Sequence, residues 1–299
     1  MIRKMLFASL FVLATAPANA CSLCIAHALG AALHGIGAQT LHSHETVLAI
    51  SYLQFDKSNG TDMPGITEKE KFNQTSIDFS TGITHRLMIT GSIPFVNKSV
   101  TAVGSPKETN HGLADISLGA AYQLPPSPGG KFLTAFSLDV KLPTGSNNAV
   151  DGSGALRDQH IQLGTGSVDF VAGATVTMEG SKPGDIWFAG LKGRRNGSND
   201  RGYHYGDVYF YNLGLLRPVG HGAAAVIEFN GRIADKDTME DGTKDPNTGG
   251  LVGYLSLTYR KNLGSSMGLI ATLQEPVLTK LYGYQKEGAY YGLTLTRVF

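Results

Sequence analysis

Cysteine, long apolar runs and an excess of either charge are all scarce in this sequence. Two cysteines in 299 residues exclude a small scaffold held together by several disulfides. The 25 basic and 24 acidic residues leave a formal net charge of +1, which excludes the basic footprint of a nucleic-acid-binding protein. Beyond residue 20, no apolar run is long enough for a membrane-spanning helix. Glycine is abundant instead, with 38 residues.

The first twenty residues predict an export signal. Arg3 and Lys4 precede an apolar run, and residues 18–20, "ANA", form a small-x-small cleavage site. We expect cleavage before Cys21 and export of the mature chain. Lipidation of Cys21 is an alternative outcome of the same processing.

Apolar residues alternate with small or polar ones over most of the remaining chain. Ile116, Leu118 and Tyr122 fall on one face of a strand, whereas Asp115 and Ser117 fall on the other. A period of two with unlike faces predicts strands exposed to two different media. Such segments cover residues 46–56, 75–85, 87–97, 112–124, 131–142, 166–178, 185–193, 205–217, 222–232, 251–261, 265–275 and 289–299.

The connections between these segments alternate between short and long. Long polar stretches are expected at 57–74, 98–111, 143–165, 194–204, 233–250 and 276–288. Bacterial outer-membrane barrels have short periplasmic turns and long extracellular loops. The sequence therefore predicts an all-β fold, a transmembrane antiparallel β-barrel of about twelve strands over residues 46–299.

Two further features agree with a barrel. The last segment ends in Phe299 after alternating apolar residues, as expected of a final strand recognised by the outer-membrane assembly machinery. Tyrosines cluster near the segment ends and are expected in aromatic girdles at the membrane interfaces. They are Tyr203, Tyr205, Tyr209, Tyr211, Tyr254, Tyr259, Tyr290 and Tyr291.

Several motifs occur in an order that resembles a known family. They are "GLADISLGAAYQL" (112–124), "DVKLPTGS" (139–146), "LGTGSVDFVAGATVT" (163–177), "GD" (206–207) and "EFNG" (228–231). Over residues 75–299 the chain resembles the outer-membrane proteins named for the MetA pathway of phenol degradation, which are described as transporters. The resemblance implies a small barrel that passes small molecules, aromatic ones among them.

The predicted function is a channel that passes small solutes, hydrophobic or aromatic ones included, across the outer membrane. Its surroundings would be outer-membrane lipid and lipopolysaccharide. The candidate lumen and selectivity residues are Asp78, Asp115, Asp139, Lys141, Asp169, Glu228 and Arg260. Opposed charges in a narrow lumen could set selectivity, or they could pair with each other and hold the barrel in shape.

No motif predicts an enzyme. "GTGSVDF" lacks the register and the following helix of a nucleophile elbow. A barrel that serves adhesion or acts as a scaffold, or an outer-membrane hydrolase, remains an alternative to the channel.

Residues 21–45 hold both cysteines and several histidines. Ile25 follows the second cysteine where covalent haem attachment needs histidine. Thiolate and imidazole suit Cu or Zn, which makes the chain a candidate metal-handling protein, although Cys21 and Cys24 could also close as a disulfide. A short periplasmic helix that plugs the barrel mouth is a further expectation. The candidate ligands are Cys21, Cys24, His27, His34, His42 and His44.

Overall fold

The computed structural model describes residues 37–60, 67–101 and 107–299. Among these residues no helix is long and apolar enough to cross a membrane, and one 3₁₀ turn spans Gln159–Ile161. The strands are β1 (Thr46–Gly60), β2 (Thr67–Gly82), β3 (Leu87–Thr101), β4 (Glu108–Leu113), β5 (Ser117–Gln123), β6 (Phe132–Lys141), β7 (Asp169–Glu179), β8 (Ile186–Arg195), β9 (Val208–Gly220), β10 (Ala223–Ala234), β11 (Gly250–Asn262), β12 (Met267–Leu281) and β13 (Lys286–Val298).

The strands form a closed antiparallel sheet. Apart from β4 and β5, neighbours along the chain pair with each other, and β1 pairs with β13, which satisfies backbone hydrogen bonds within the wall as a membrane requires. β4 and β5 both pair with β3, at its residues 95–100 and 87–92 respectively. They are therefore two halves of one wall strand, interrupted at residues 114–116. The predicted twelve-strand antiparallel barrel is confirmed.

The two faces of the wall differ as the alternation predicts. In β1, Ile50 and Tyr52 are exposed, with 57% and 44% of their surface accessible, whereas Val47 and Ala49 are buried. Exposed apolar side chains continue around the outer face on other strands, for example at Leu138, Leu191 and Leu293. The outer face is thus an apolar belt that matches a lipid environment, and the inner face forms the lumen.

The two ends of the barrel are unlike. One end carries the connections 83–86, 124–131, 180–185, 221–222 and 263–266, and we refer to it as the short-turn end. The opposite, long-loop end carries the loops 142–168, 196–207 and 235–249.

Three of the predicted long loops are wrong in extent. Much of 57–74, 98–111 and 276–288 is strand, and the connection between β12 and β13 is only residues 282–285. These strands continue past the apolar belt with polar residues on both faces, which reads as loop in the sequence. In β2, for example, Glu70 is buried in the lumen although charged residues precede and follow it.

Residues 37–45 lie in the mouth at the short-turn end. The amide of Ala38 donates to Thr177 Oγ1 at 2.7 Å, and Leu41 packs against Met88 and Ala121. No helix forms within 37–45, where Gly37 has a left-handed φ of 72°. The rest of the predicted plug helix lies outside the described residues.

Candidate functional site

The seven predicted lumen residues occupy inner-face positions or the strand break. Six of them are nearly or completely buried, and Asp139 is partly exposed. They do not form one site. Asp115, Lys141 and Asp169 meet at the long-loop half of the wall, whereas the others are separate along the lumen.

Lys141 is the centre of a buried ion cluster. Its Nζ lies 2.7 Å from Asp115 Oδ2 and 3.1 Å from Asp169 Oδ2, and it also bonds to Thr165 Oγ1 and to the carbonyl of Ser167. Asp115 lies in the break between β4 and β5, where its carboxylate accepts from the amides of Gly145 and Thr165. The cluster therefore ties loop 142–168 to three strands of the wall.

The other candidates have different surroundings. Asp78 accepts hydrogen bonds from Ser51 and Ser76 at 3.2 and 2.8 Å, and from Ser92. Glu228 is buried midway along β10, and Arg260 is buried near the short-turn end of β11. These residues keep polar the part of the lumen nearer the short-turn end, which we call the lower lumen. The roles proposed for them in selectivity stay predictions.

Aromatic rings fill the lumen on the long-loop side of these polar groups. Phe55 stacks on Tyr290 with ring centroids 4.6 Å apart and lies 4.8 Å from Phe72, and Tyr254 meets Tyr290 edge-on at 5.1 Å. All four side chains are at most 3% exposed. We call Phe55, Phe72, Tyr254 and Tyr290 the aromatic layer. It belongs to an apolar cluster that also includes Tyr203 and Tyr205 of loop 196–207.

A buried ion pair anchors the aromatic layer. Arg232 Nη2 donates to Glu287 Oε1 at 2.6 Å. The other carboxylate oxygen, Glu287 Oε2, accepts from the hydroxyls of Tyr254 and Tyr290 at 3.2 and 3.1 Å. The ring positions are therefore coupled to one pair of opposite charges at the long-loop end.

The three long loops meet inside the barrel. His160 lies between Asp158 and Asp237, with ring-nitrogen to oxygen distances of 2.8 and 3.3 Å. Tyr203 donates to Asp237 at 2.9 Å, and Tyr205 donates to the carbonyl of Gln159 at 3.0 Å. We call His160, Tyr203, Tyr205 and Asp237 the loop junction. It draws all three loops over the aromatic layer.

Loop 142–168 is also fastened to β3 and β4. Lys98 Nζ donates to the carbonyls of His160 and Gln162, and Asn110 donates to the carbonyl of Ile161 at 3.1 Å. These bonds hold the loop against β4, the half of the interrupted strand at the long-loop end. Among the described strands, β4 pairs with β3 alone.

The loop junction carries a pH-sensitive group. Burial alone would lower the pKa of His160, but the adjacent Asp158 and Asp237 raise that pKa well above 6.5. Burial likewise opposes ionisation of Asp237, yet its bond to His160 holds the pKa of that carboxyl below its usual range. The protonated imidazole is thus the form that joins the loops.

We expect the loop junction to weaken as the pH rises above neutral. A raised pKa in the folded state means that the stabilisation is complete below 6.5 and is lost as the pH passes the raised pKa. Ion conductance should then increase at alkaline pH, measured in planar bilayers at constant salt. His160→Gln should show no such step, and His204→Gln, on loop 196–207, should keep it. An equal alkaline step in His160→Gln would contradict the assignment.

The interface role expected for the tyrosines is wrong for four of them. Tyr209, Tyr259 and Tyr291 are exposed on the outer face, but Tyr203, Tyr205, Tyr254 and Tyr290 lie inside the lumen. Tyr254 and Tyr290 share the inner face of their strands, and their rings pack on each other rather than on lipid. Sequence reasoning therefore missed the aromatic layer.

Only two of the six predicted metal ligands lie within the described residues. Cys21, Cys24, His27 and His34 lie outside them. His42 and His44 are exposed, and His42 Nδ1 lies 3.2 Å from Glu45 Oε2. Within the described ranges no group of three potential ligands could hold a metal ion. Binding of Cu or Zn stays a prediction, as do the adhesion, scaffold and hydrolase alternatives.

Solved structures share this fold at low sequence identity. An outer-membrane channel from Pseudomonas putida F1 superposes with a TM-score of 0.67 and 13% identity, covering 88% of this chain and 98% of that one. The translocator domain of the autotransporter NalP from Neisseria meningitidis gives a TM-score of 0.50 and 11% identity, covering 86% and 89%. No curated protein matches the chain.

A family model matches residues 54–262, well over half of the 299 residues. The match includes the motifs between residues 112 and 231 that carry the resemblance noted in the sequence, and that resemblance is confirmed. The chain belongs to the family described as "Putative MetA-pathway of phenol degradation".

Proposed function

We propose that this barrel is a channel through which small apolar and aromatic solutes cross the bacterial outer membrane. The observation that carries the proposal is the aromatic layer within the lumen. Pores for hydrated ions and sugars are lined by polar groups. Four stacked or edge-packed rings offer instead a surface on which an aromatic solute can exchange contacts with protein rings.

The sidedness of the pathway follows from the connections. Short turns face the periplasm in outer-membrane barrels, so the short-turn end is assigned to the periplasm and the long-loop end to the cell exterior. A solute from outside would pass the loop junction, the aromatic layer and then the polar lower lumen around Asp78 and Glu228.

The closed packing of the loops supports a gated channel rather than an open pore. The Lys141 cluster and the loop junction hold the long loops over the aromatic layer. Passage therefore requires the rings or the loops to move, and the ion clusters limit that movement. We therefore propose that Asp115, Lys141 and Asp169 hold the structure, and that Asp139, Glu228 and Arg260 are the candidates for selectivity.

Conductance and its block by an aromatic solute test the proposal. We expect the purified protein to conduct ions in planar bilayers, and benzyl alcohol to reduce that conductance at concentrations where erythritol has no effect. Phe55→Ala should raise the conductance. It should also weaken the block about tenfold or more, because the ring that benzyl alcohol would contact is removed and burial of an aromatic group contributes about 1.5–3 kcal/mol.

Phe136→Ala is the matched control, since Phe136 is 51% exposed on the outer face of β6. It should leave both conductance and block unchanged, which separates binding in the lumen from an effect of benzyl alcohol on the bilayer. Absence of conductance in repeated preparations, or equal block of both variants, would overturn the proposed function.

A further inference from the structure

A cavity lies on the lumen side of the wall at the short-turn end, away from the aromatic layer. Its volume is about 330 Å³. It lies between the turns 221–222 and 263–266, and its lining includes Pro218, Ala224, Arg260, Met267, Ile270 and Val298. Apart from Arg260, these side chains are apolar, and the polar side chains of the lining are those of His221, Lys261, Asn262 and Thr296. The size falls within the range of small-molecule sites.

The guanidinium of Arg260 is the buried cation of this cavity. The side chain is only 9% exposed, and its Nη1 has no hydrogen-bond partner. Its cross-strand neighbours are Ala224 on β10 and Ile270 on β12, which offer no acceptor side chain. An ion in such surroundings loses hydration without compensation.

Several of the polar groups nearby are engaged elsewhere. Thr258 and Thr272 share a hydrogen bond of 2.8 Å, and Thr296 donates to the carbonyl of Gly268. Lys261, at the rim, donates to the carbonyl of His221. Glu228 lies four positions from Ala224 along β10, about 13 Å at the rise of a β-strand. Within the described part of the chain no ion pair involves Arg260.

We propose that this cavity binds a small monocarboxylate with an apolar body. A guanidinium presents a planar fork that matches a carboxylate, and the bonds are charge-assisted. One buried cation balances one negative charge, and the apolar lining accommodates a hydrocarbon body. The binding site lies at the opposite mouth from the aromatic layer and needs no transport, so it goes beyond the proposed channel.

Calorimetric titration of the full-length protein in detergent with benzoate tests the site. We expect saturable binding of one benzoate per chain and at least tenfold weaker binding of benzamide, its uncharged analogue. Arg260→Met should weaken benzoate binding about ten- to hundredfold, the range for hydrogen bonds to charged groups. Arg297→Met, a change on the outer face of β13, should bind benzoate like the wild type.

Ala224→Leu keeps the test decisive should Arg260→Met fail to fold. It retains the cation but fills part of the cavity, so benzoate should bind at least tenfold more weakly. Benzoate binding unchanged in Ala224→Leu or in a folded Arg260→Met would overturn the site. Inorganic phosphate that displaces benzoate at equal concentration would overturn the requirement for an apolar body. Because binding is read without conductance, failure here is distinct from failure of the channel.

Discussion

Replacing Lys141 with methionine should destabilise the barrel by about 3–5 kcal/mol, the range for removing one partner of a buried ion pair. Methionine is similar in length, so the loss is electrostatic rather than a cavity. Asp115 and Asp169, at most 2% exposed, would be left buried with no cation between them. Urea unfolding of the protein reconstituted in lipid, followed by tryptophan fluorescence or by electrophoretic mobility, measures the change.

Lys131→Met is the control for loss of a lysine. Lys131 is exposed in the connection between β5 and β6, so its removal should change stability by no more than about 0.5 kcal/mol. The double variant Lys141→Met with Asp169→Asn should lose less stability than the sum of its two single variants, because removing one carboxylate relieves the repulsion. Additive losses would contradict the ion cluster as described.

Loosening of the loop should accompany this loss of stability. Asp115 accepts the amides of Gly145 and Thr165, which lie near the two ends of loop 142–168. Without Lys141 the two carboxylates repel each other, and the attachment of the loop weakens. Ion conductance of Lys141→Met should therefore exceed that of the wild type under conditions where both proteins remain folded.

Local sequence patterns were sufficient to predict the wall of the barrel. A period of two identifies a strand wherever its faces meet different media, and the short turns separate one strand from the next. The same pattern placed Lys141 and Asp169 on the inner face. It failed where both faces of a strand carry polar residues, as in β2 and β13 near the long-loop end, so Glu287 was assigned to a loop.

The contacts inside the lumen could not be predicted from the sequence, because they depend on the strand register and on the paths of the loops. Arg232 follows Glu228 and Asn230 at a period of two and could have been placed on the inner face. Its partner Glu287 lies 55 positions later in the chain, and no local spacing indicates that pairing. The loop junction needs three loops to fold inward, which short-range periodicity does not encode.

The pair formed by Arg232 and Glu287 should show the second large effect. Arg232→Met leaves Glu287 buried beside two tyrosine hydroxyls with its direct ion-pair partner removed, at a cost of about 3–5 kcal/mol. Glu287→Gln should be less damaging than Arg232→Met, because the amide oxygen can still accept from the guanidinium while the amide NH2 donates to the tyrosine hydroxyl oxygens. Urea unfolding in lipid measures both variants.

The double variant Arg232→Met with Glu287→Gln separates the value of the pair from the cost of breaking it. Replacing both charges by neutral groups of similar size is often close to neutral, so we expect the double variant to recover most of the stability lost in Arg232→Met.

The double variant has a functional readout as well, since the carboxylate orients Tyr254 and Tyr290 of the aromatic layer. Block by benzyl alcohol should remain weaker than in the wild type even where stability returns, because glutamine bonds the two hydroxyls less strongly than a carboxylate does. Full recovery of both properties would mean that the charge does not position the rings.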